Sequence, residues 1–293
     1  MKISIVTINY NNVEGLRRTL ASVAAQTYRD IEHIIVDAAS TDGSVEIIKE
    51  YADVSKHTVI WSSKKDKGIY DGMNRGIKKA TGDYIQILNS GDILAAPDVT
   101  ERMMNILNSL NVNSLNDKIE VPILYGNMIR DFGNGKLSKD VCLGDRAKNR
   151  ELKAQEVEWT MDDFIKGTVN HDPTYIRADL YKTYGLYDES LKICSDWKWF
   201  VNAVVFRGEK LYYVPIDVTI FDTTGISETN LEFREEERHA ELEKMLPAAI
   251  LKDYDRYHFP ISQYKRLKKY HLWPIVYFME RVLFKLNKWG VLK

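Results

Sequence analysis

Apolar and polar residues alternate in blocks along the first hundred positions. Ile3-Ser-Ile-Val-Thr-Ile-Asn9 and Ile31-Glu-His-Ile-Ile-Val-Asp37 are near-continuous apolar runs of strand length, and each ends in a polar residue. Between them Leu16, Leu20, Val23 and Ala24 recur at helical spacing. The second run is followed by Asp37-Ala-Ala-Ser-Thr-Asp-Gly43, rich in turn residues, which leads into a helix predicted over Ser44 to Tyr51. A glycine turn within Asp66-Lys-Gly-Ile-Tyr-Asp-Gly-Met-Asn-Arg-Gly76 opens a further short helix, and the next apolar run ends as Ile85-Gln-Ile-Leu-Asn-Ser-Gly-Asp92. Strand, polar tip and helix thus recur three times, the pattern of a parallel α/β sheet with right-handed crossovers.

Further along, residues 98 to 110 read as a helix with Val99, Met103, Ile106 and Leu107 on one face, and Ile123 to Ile129 as a strand. The polar, glycine-spotted segment 132–160 is expected to pack loosely over the site. A second polar cluster, Asn170-His171-Asp172, precedes a helix from Ala178 to about Tyr184 that Gly185 stops. Ser195 to Val204 reads as a helix with Ser195 as its N-cap and Asp196 in its first turn. Leu211-Tyr-Tyr-Val-Pro215 is the last strand, and Phe221 to Ser227 a loop over the site mouth.

Ligands of open α/β sheets sit beyond the carboxyl ends of the strands, so the polar tips are the candidate site. Thr7, Asn9 and Tyr10 at the first tip are placed to meet a nucleotide, with Tyr10 able to stack on a base. At the third tip, Asn89-Ser90-Gly91-Asp92 delivers a carboxylate suited to Mg2+ or Mn2+, and the cation in turn suits a diphosphate. Asp71 and Arg75 lie one helical turn apart; they either pair with each other, or Arg75 reaches the diphosphate.

These segments resemble family 2 glycosyltransferases of the GT-A fold. The match runs over roughly residues 1 to 225, through Ile5-Val-Thr-Ile-Asn-Tyr-Asn11, Ser22 to Tyr28 and Ile35 to Gly43. Asp66 to Asp71 and Leu88-Asn-Ser-Gly-Asp92 look like a branch that makes bacterial surface polysaccharides, with Asn-Ser-Gly-Asp in place of Asp-x-Asp-Asp. The resemblance implies an inverting, metal-dependent transfer from a nucleotide-sugar donor, in the first place a UDP-sugar. The acceptor would be a glycan or a polyprenyl-linked glycan. It implies that Asp37 reads uracil and that Asp66 faces the nucleotide. Arg75, Ser90 and Gly91 would line the diphosphate, Asp92 and His171 would hold the metal, and Asp196 would be the catalytic base. Ala38 and Asp172 depart from the acid and the His-Gln common in relatives. A catalytically inactive GT-A module that binds nucleotide sugar or a partner enzyme is the competing reading. A Rossmann dehydrogenase would need G-x-G-x-x-G after the first strand, and the chain lacks it.

Composition adds bounds. The chain of 293 residues has a net charge of −1, which argues against a nucleic-acid partner. Cys142 and Cys194 lack metal-ligand spacing and read as reduced thiols of a cytoplasmic protein. Met1-Lys-Ile-Ser enters a strand directly, so no signal peptide is expected, and no apolar run is long enough to span a bilayer. The near-zero total hides an asymmetry. Residues 226–255 carry nine Asp/Glu and four Lys/Arg, whereas residues 256–293 carry nine Lys/Arg and one acid, Glu280. Residues 226–293 are therefore read as a helical extension of a 1–225 transferase domain. Ile275, Met279, Val282 and Leu286 form a stripe opposite Arg281, Lys285 and Lys288, flanked by Trp273 and Trp289. That helix suits an anionic inner-membrane surface, or its stripe packs on protein, in a homodimer for example.

Overall fold

The first half alternates as expected: β1 (Ile3–Asn9), α1 (Val13–Ala24), β2 (Ile31–Asp37), α2 (Ser44–Val54), β3 (Thr58–Ser63), α3 (Ile69–Lys79), β4 (Tyr84–Ile87). Then come β5 (Ile93–Leu94), α4 (Val99–Val112), β6 (Ile123–Asp131), β7 (Leu137–Asp140), β8 (Gln155–Val157) and α5 (Met161–Lys166). The chain continues through β9 (Thr174–Arg177), α6 (Asp179–Tyr184), α7 (Ser195–Phe200), β10 (Leu211–Asp222), α8 (Ile226–Thr229) and α9 (Leu231–Met245). The computed structural model describes residues 1–112, 121–133, 136–140, 154–254 and 256, and in the tail 270, 274, 275, 277–279 and 281.

The strands form one sheet ordered β3-β2-β1-β4-β9-β6-β10-β5, with β7 beside β6 and β8 beside β10. β3, β2, β1 and β4 are parallel, and the β1–β2 register runs from Ile3↔Ile31 to Asn9↔Asp37. That register sets the polar ends Asn9 and Asp37 side by side. β9 runs antiparallel to both β4 and β6, while β6 and β10 are parallel to each other, so the sheet is parallel in its first half and mixed beyond.

α3 lies close on β1. A Cβ on Gly76 would sit 2.2 Å from Val6 Cγ1, and one on Gly72 would sit 3.3 Å from Ile8 Cγ2. Glycines one turn apart therefore let the helix backbone approach the strand. Ile3, Ile5, Leu88, Met103, Leu107 and Val218 belong to one buried cluster, and Leu16, Ile35, Ile48 and Tyr51 to another.

Three expectations need correction. The last strand does not stop at Pro215 but runs to Asp222, with Ile216 and Val218 buried. Its pairing to β6 shifts register between Tyr213 and Asp217, which accommodates a residue with no N–H to donate. The helix expected over 195–204 is α-helical only to Phe200, and a π-helical turn follows from Val201 to Phe206. Ser195 does not cap α7. It is the first helical residue, and its hydroxyl accepts the Asp188 N–H instead.

The chain divides into two compact units, Met1–Glu237 and Arg238–Lys293. The start of α9 is bound into the first unit. The Glu237 carboxylate accepts the N–H groups of Lys192 at 2.7 Å and of Ile193 and Cys194 at 2.8 Å. Cys194 is buried, and its thiol donates to the Arg234 carbonyl at 3.2 Å. In the second unit Tyr270, Ile275, Tyr277, Phe278 and Met279 are exposed. Val282, Leu286, Lys285, Lys288, Trp273, Trp289 and Cys142 lie outside the described residues. No helix among the described residues is long and apolar enough to cross a membrane.

Candidate active site

The first turn of α7 presents Asp196, whose side chain keeps 13% exposure. The Tyr70 hydroxyl stands 3.0 Å from Oδ1 and also reaches the Ile193 carbonyl, and His171 Nδ1 stands 3.0 Å from Oδ2. Burial opposes ionisation of Asp196, but the His171 and Tyr70 bonds outweigh it and hold its carboxyl below the usual range. His171 shows the converse. Burial opposes its protonation, yet the Asp172 and Asp196 carboxylates raise it to about 9. His171 is thus held against Asp196, with Nε2 3.1 Å from Asn89 Nδ2 and 3.4 Å from Asp172 Oδ1.

The tip of β4 holds Asn89, Ser90, Gly91 and Asp92. Asp92, the carboxylate expected at a metal, faces inward here. Its side chain is buried, and Oδ1 accepts the Asp222 N–H at 2.9 Å. Burial and the adjacent, hydrogen-bonded Asp172 push it well above the carboxylate range, which favours a neutral, inward-facing carboxyl. His171, the second residue expected at a metal, is engaged through Nδ1 with Asp196 and through Nε2 with Asn89. Among the described residues no three His, Cys, Asp or Glu side chains are arranged to hold an ion by themselves. What fits a cation is a cradle at Gly91. Its φ is +110°, and a Cβ there would lie 3.3 Å from Asp222 Oδ2 and 3.5 Å from Asn12 Nδ2. One carboxylate set against this glycine suits a cation that shares its ligands with a substrate phosphate. Ser90 stays half-exposed, with its carbonyl accepting from Asn12 Nδ2 at 3.0 Å.

The tips of β1 and β2 form the adjoining pocket. Thr7 is buried and bonds His33 Nε2 at 2.9 Å, which supports the strand. Asp37 is also buried, and its two oxygens accept from Asn9 Nδ2, the Ser40 hydroxyl and N–H, and the Ser63 hydroxyl. Asp37 thereby holds Asn9 and Ser40 in place at this tip. Tyr10 is 67% exposed at the pocket edge, free to stack. Ala39 takes a positive φ of 60°, a strained conformation at this tip. Asp66 is half-exposed, and burial raises its pKa. Arg75 binds Asp71 through Nε at 3.0 Å and Nη2 at 2.6 Å and the Lys64 and Lys65 carbonyls through Nη1, so it clamps the loop before α3.

Several residues that shape the site carried no sequence signal of their own. Tyr70 reads as an apolar helix position. Asn74 exchanges two hydrogen bonds with the Tyr187 backbone, at 2.9 and 3.0 Å, and so docks the base-bearing loop on α3. Trp197 and Trp199 are buried and belong to the core, not to an acceptor groove. Glu237 fixes the loop that enters α7. Glu237→Gln is expected to lower kcat by up to about 100-fold, the cost of a misplaced catalytic group, with donor KM little changed. Steady-state kinetics check this; an unaltered kcat would free the loop from dependence on α9.

Residues 4–120 match the family model for glycosyl transferase family 2. An uncharacterised glycosyltransferase of Mycobacterium tuberculosis is 30% identical over 255 residues, covering 84% of this chain and 85% of its own. A PGL/p-HBAD biosynthesis glycosyltransferase of Mycobacterium bovis is 27% identical over 222 residues, covering 76% and 77%. Staphylococcus aureus TarS, solved with UDP-GlcNAc, superposes with a TM-score of 0.58 at 18% identity, over 76% of this chain and 58% of that one. The Pyrobaculum calidifontis mannosyltransferase PcManGT, solved with GDP-Man and Mn2+, superposes with a TM-score of 0.54 at 16% identity, over 75% and 56%. The relatives and the fold together make this chain a member of glycosyltransferase family 2 with the GT-A architecture.

Proposed function

We propose that the chain moves one sugar from a nucleoside-diphosphate donor, a UDP-sugar, to a hydroxyl of a glycan or polyprenyl-linked glycan, with inversion at the anomeric carbon. The observation that carries this reading is Asp196, partly open and bonded by Tyr70 and His171. It stands one side chain away from the β4 tip, because His171 contacts both Asp196 and Asn89.

Inverting transfer needs one base and no covalent intermediate. Asp196 accepts the proton of the acceptor hydroxyl as that oxygen attacks the anomeric carbon. The bond from carbon to the diphosphate oxygen breaks on the opposite face, and the nucleoside diphosphate leaves. His171 and Tyr70 orient the carboxylate, and holding donor and acceptor in line supplies much of the remaining acceleration. Tyr10 offers a stacking surface for the base, Asn9 and Ser40 its polar edge, and Asp66 the far wall. A divalent cation, Mg2+ or Mn2+, bound with the donor would offset the charge on the departing diphosphate.

The reading extends to where the acceptor lies. The nine basic residues of 256–293 and the exposed Ile275, Tyr277, Phe278 and Met279 suit the anionic inner face of a membrane, where a lipid-linked acceptor concentrates. A surface-polysaccharide or glycolipid product fits such a location.

A hydrolysis panel of UDP- and GDP-sugars with Mn2+ and with Mg2+ tests the reading, since transferases release nucleotide slowly to water. At least one UDP-sugar is expected to turn over. Binding of nucleotide sugars with no turnover, even with added acceptors, would leave the inactive module as the correct reading.

A further inference from the structure

We propose that Asp222, at the end of β10, is the carboxylate that meets the donor's divalent cation. It takes the place that Gly91 leaves empty at the β4 tip. The proposal rests on the donor reading above.

Three contacts prepare this residue. Asp92 turns inward and pins the Asp222 N–H at 2.9 Å. The Thr224 N–H and hydroxyl bind Asp222 Oδ1 at 3.0 and 2.7 Å. Thr223 ties the same turn to the Asp131 carbonyl through its N–H and its hydroxyl. Oδ2 lies 3.3 Å from where a side chain at position 91 would begin. Partial burial opposes ionisation of Asp222, but the Thr224 and Arg18 bonds overcome it and keep the carboxyl below its ordinary range. The carboxylate missing from one strand end is thus delivered by a strand distant in sequence, and the buried Asp92 serves to hold it there.

Arg18 explains how the site persists without a cation. From α1 its Nη2 binds Asp222 Oδ2 at 2.7 Å, with half the Arg18 side chain exposed. A cation that arrives with the diphosphate takes Oδ2 and displaces the guanidinium. Arg18 is then a free positive charge beside the phosphates. No covalent change is involved; one ion pair is exchanged for another.

The test is calorimetric binding of UDP and of GDP to the full chain, in EDTA and in Mn2+, using whichever nucleotide binds more tightly in EDTA. The wild type is expected to bind at least about 10-fold more tightly with Mn2+. Asp222→Asn should keep the EDTA affinity and lose the Mn2+ gain. Arg18→Gln should show equal or tighter Mn2+ uptake, followed by the Mn2+ electron paramagnetic resonance signal with nucleotide present. Retention of the EDTA affinity by Asp222→Asn also shows that the variant is folded. A wild type with the same affinity in EDTA and Mn2+ overturns the proposal, and overturns it in favour of Arg18 if Arg18→Gln weakens binding in EDTA. An Mn2+ gain kept by Asp222→Asn and lost by Asp92→Asn returns the cation to Asp92. Failure of both nucleotides to bind overturns the donor reading, and the assignment of Asp222 falls with it.

Discussion

Asp196→Asn is expected to lower sugar transfer by about 10²–10⁴-fold, the contribution of a general base, while nucleotide binding stays near that of the wild type. The amide keeps the shape of the carboxylate and one oxygen for Tyr70 or His171. It cannot accept the acceptor's proton. Asp196 contacts the strand-tip residues only through His171, so the donor pocket at β1, β2 and β4 should be undisturbed. Kinetics with saturating acceptor, together with calorimetric UDP binding, separate the two effects. Near-wild-type turnover in the variant would place the base elsewhere.

The stability of the fold should depend on pH through His171. In the folded chain it is raised to about 9, first against its own burial and then by Asp172 and Asp196. An unfolded histidine titrates near 6.5. The folded form therefore holds the proton more tightly, and the resulting stabilisation is complete below about pH 6.5 and is lost as pH rises through about 9. At 1.36 kcal/mol for each pH unit between the two values, the loss is on the order of 3 kcal/mol. His171→Gln keeps a donor for Asp196 and does not titrate. Urea unfolding at a series of pH values from 7 to 10 should show the wild type losing this stability relative to the variant. Equal slopes would mean that His171 is neutral in the folded chain.

The first half of the fold was legible because its signals are local. A parallel strand buried on both faces reads as an unbroken apolar run, and its polar end marks the strand tip. Asn9, Asp37 and Asn89 to Asp92 all stand at such tips. The glycines of Asp66 to Gly76 likewise marked a helix of close approach. Asp196 stood out through its place on a helix start and through family likeness. The second half was less legible. β9 is only four residues long and β8 three, too short for periodicity to register. β10 continues past Pro215 only because a register shift against β6 absorbs it.

The chemistry of single residues divides in the same way. By itself the sequence determined which strand tips carry polar groups, the α/β class and the family, because these depend on residue order and spacing. It could not determine which way a carboxylate turns. Asp92 and Asp222 are both acids beside glycine-containing turns, yet one is buried against Asp172 and the other faces the Gly91 cradle. Asp37 and Thr7 lie at a ligand-facing edge but spend their hydrogen-bonding capacity inside it. Tyr70, Asn74 and Glu237 reach the base loop from positions 126, 113 and about 40 residues away in the chain. Only the tertiary structure decided these roles, because a side chain's orientation and ionisation follow from the partners that packing brings to it, and those partners come from distant parts of the sequence.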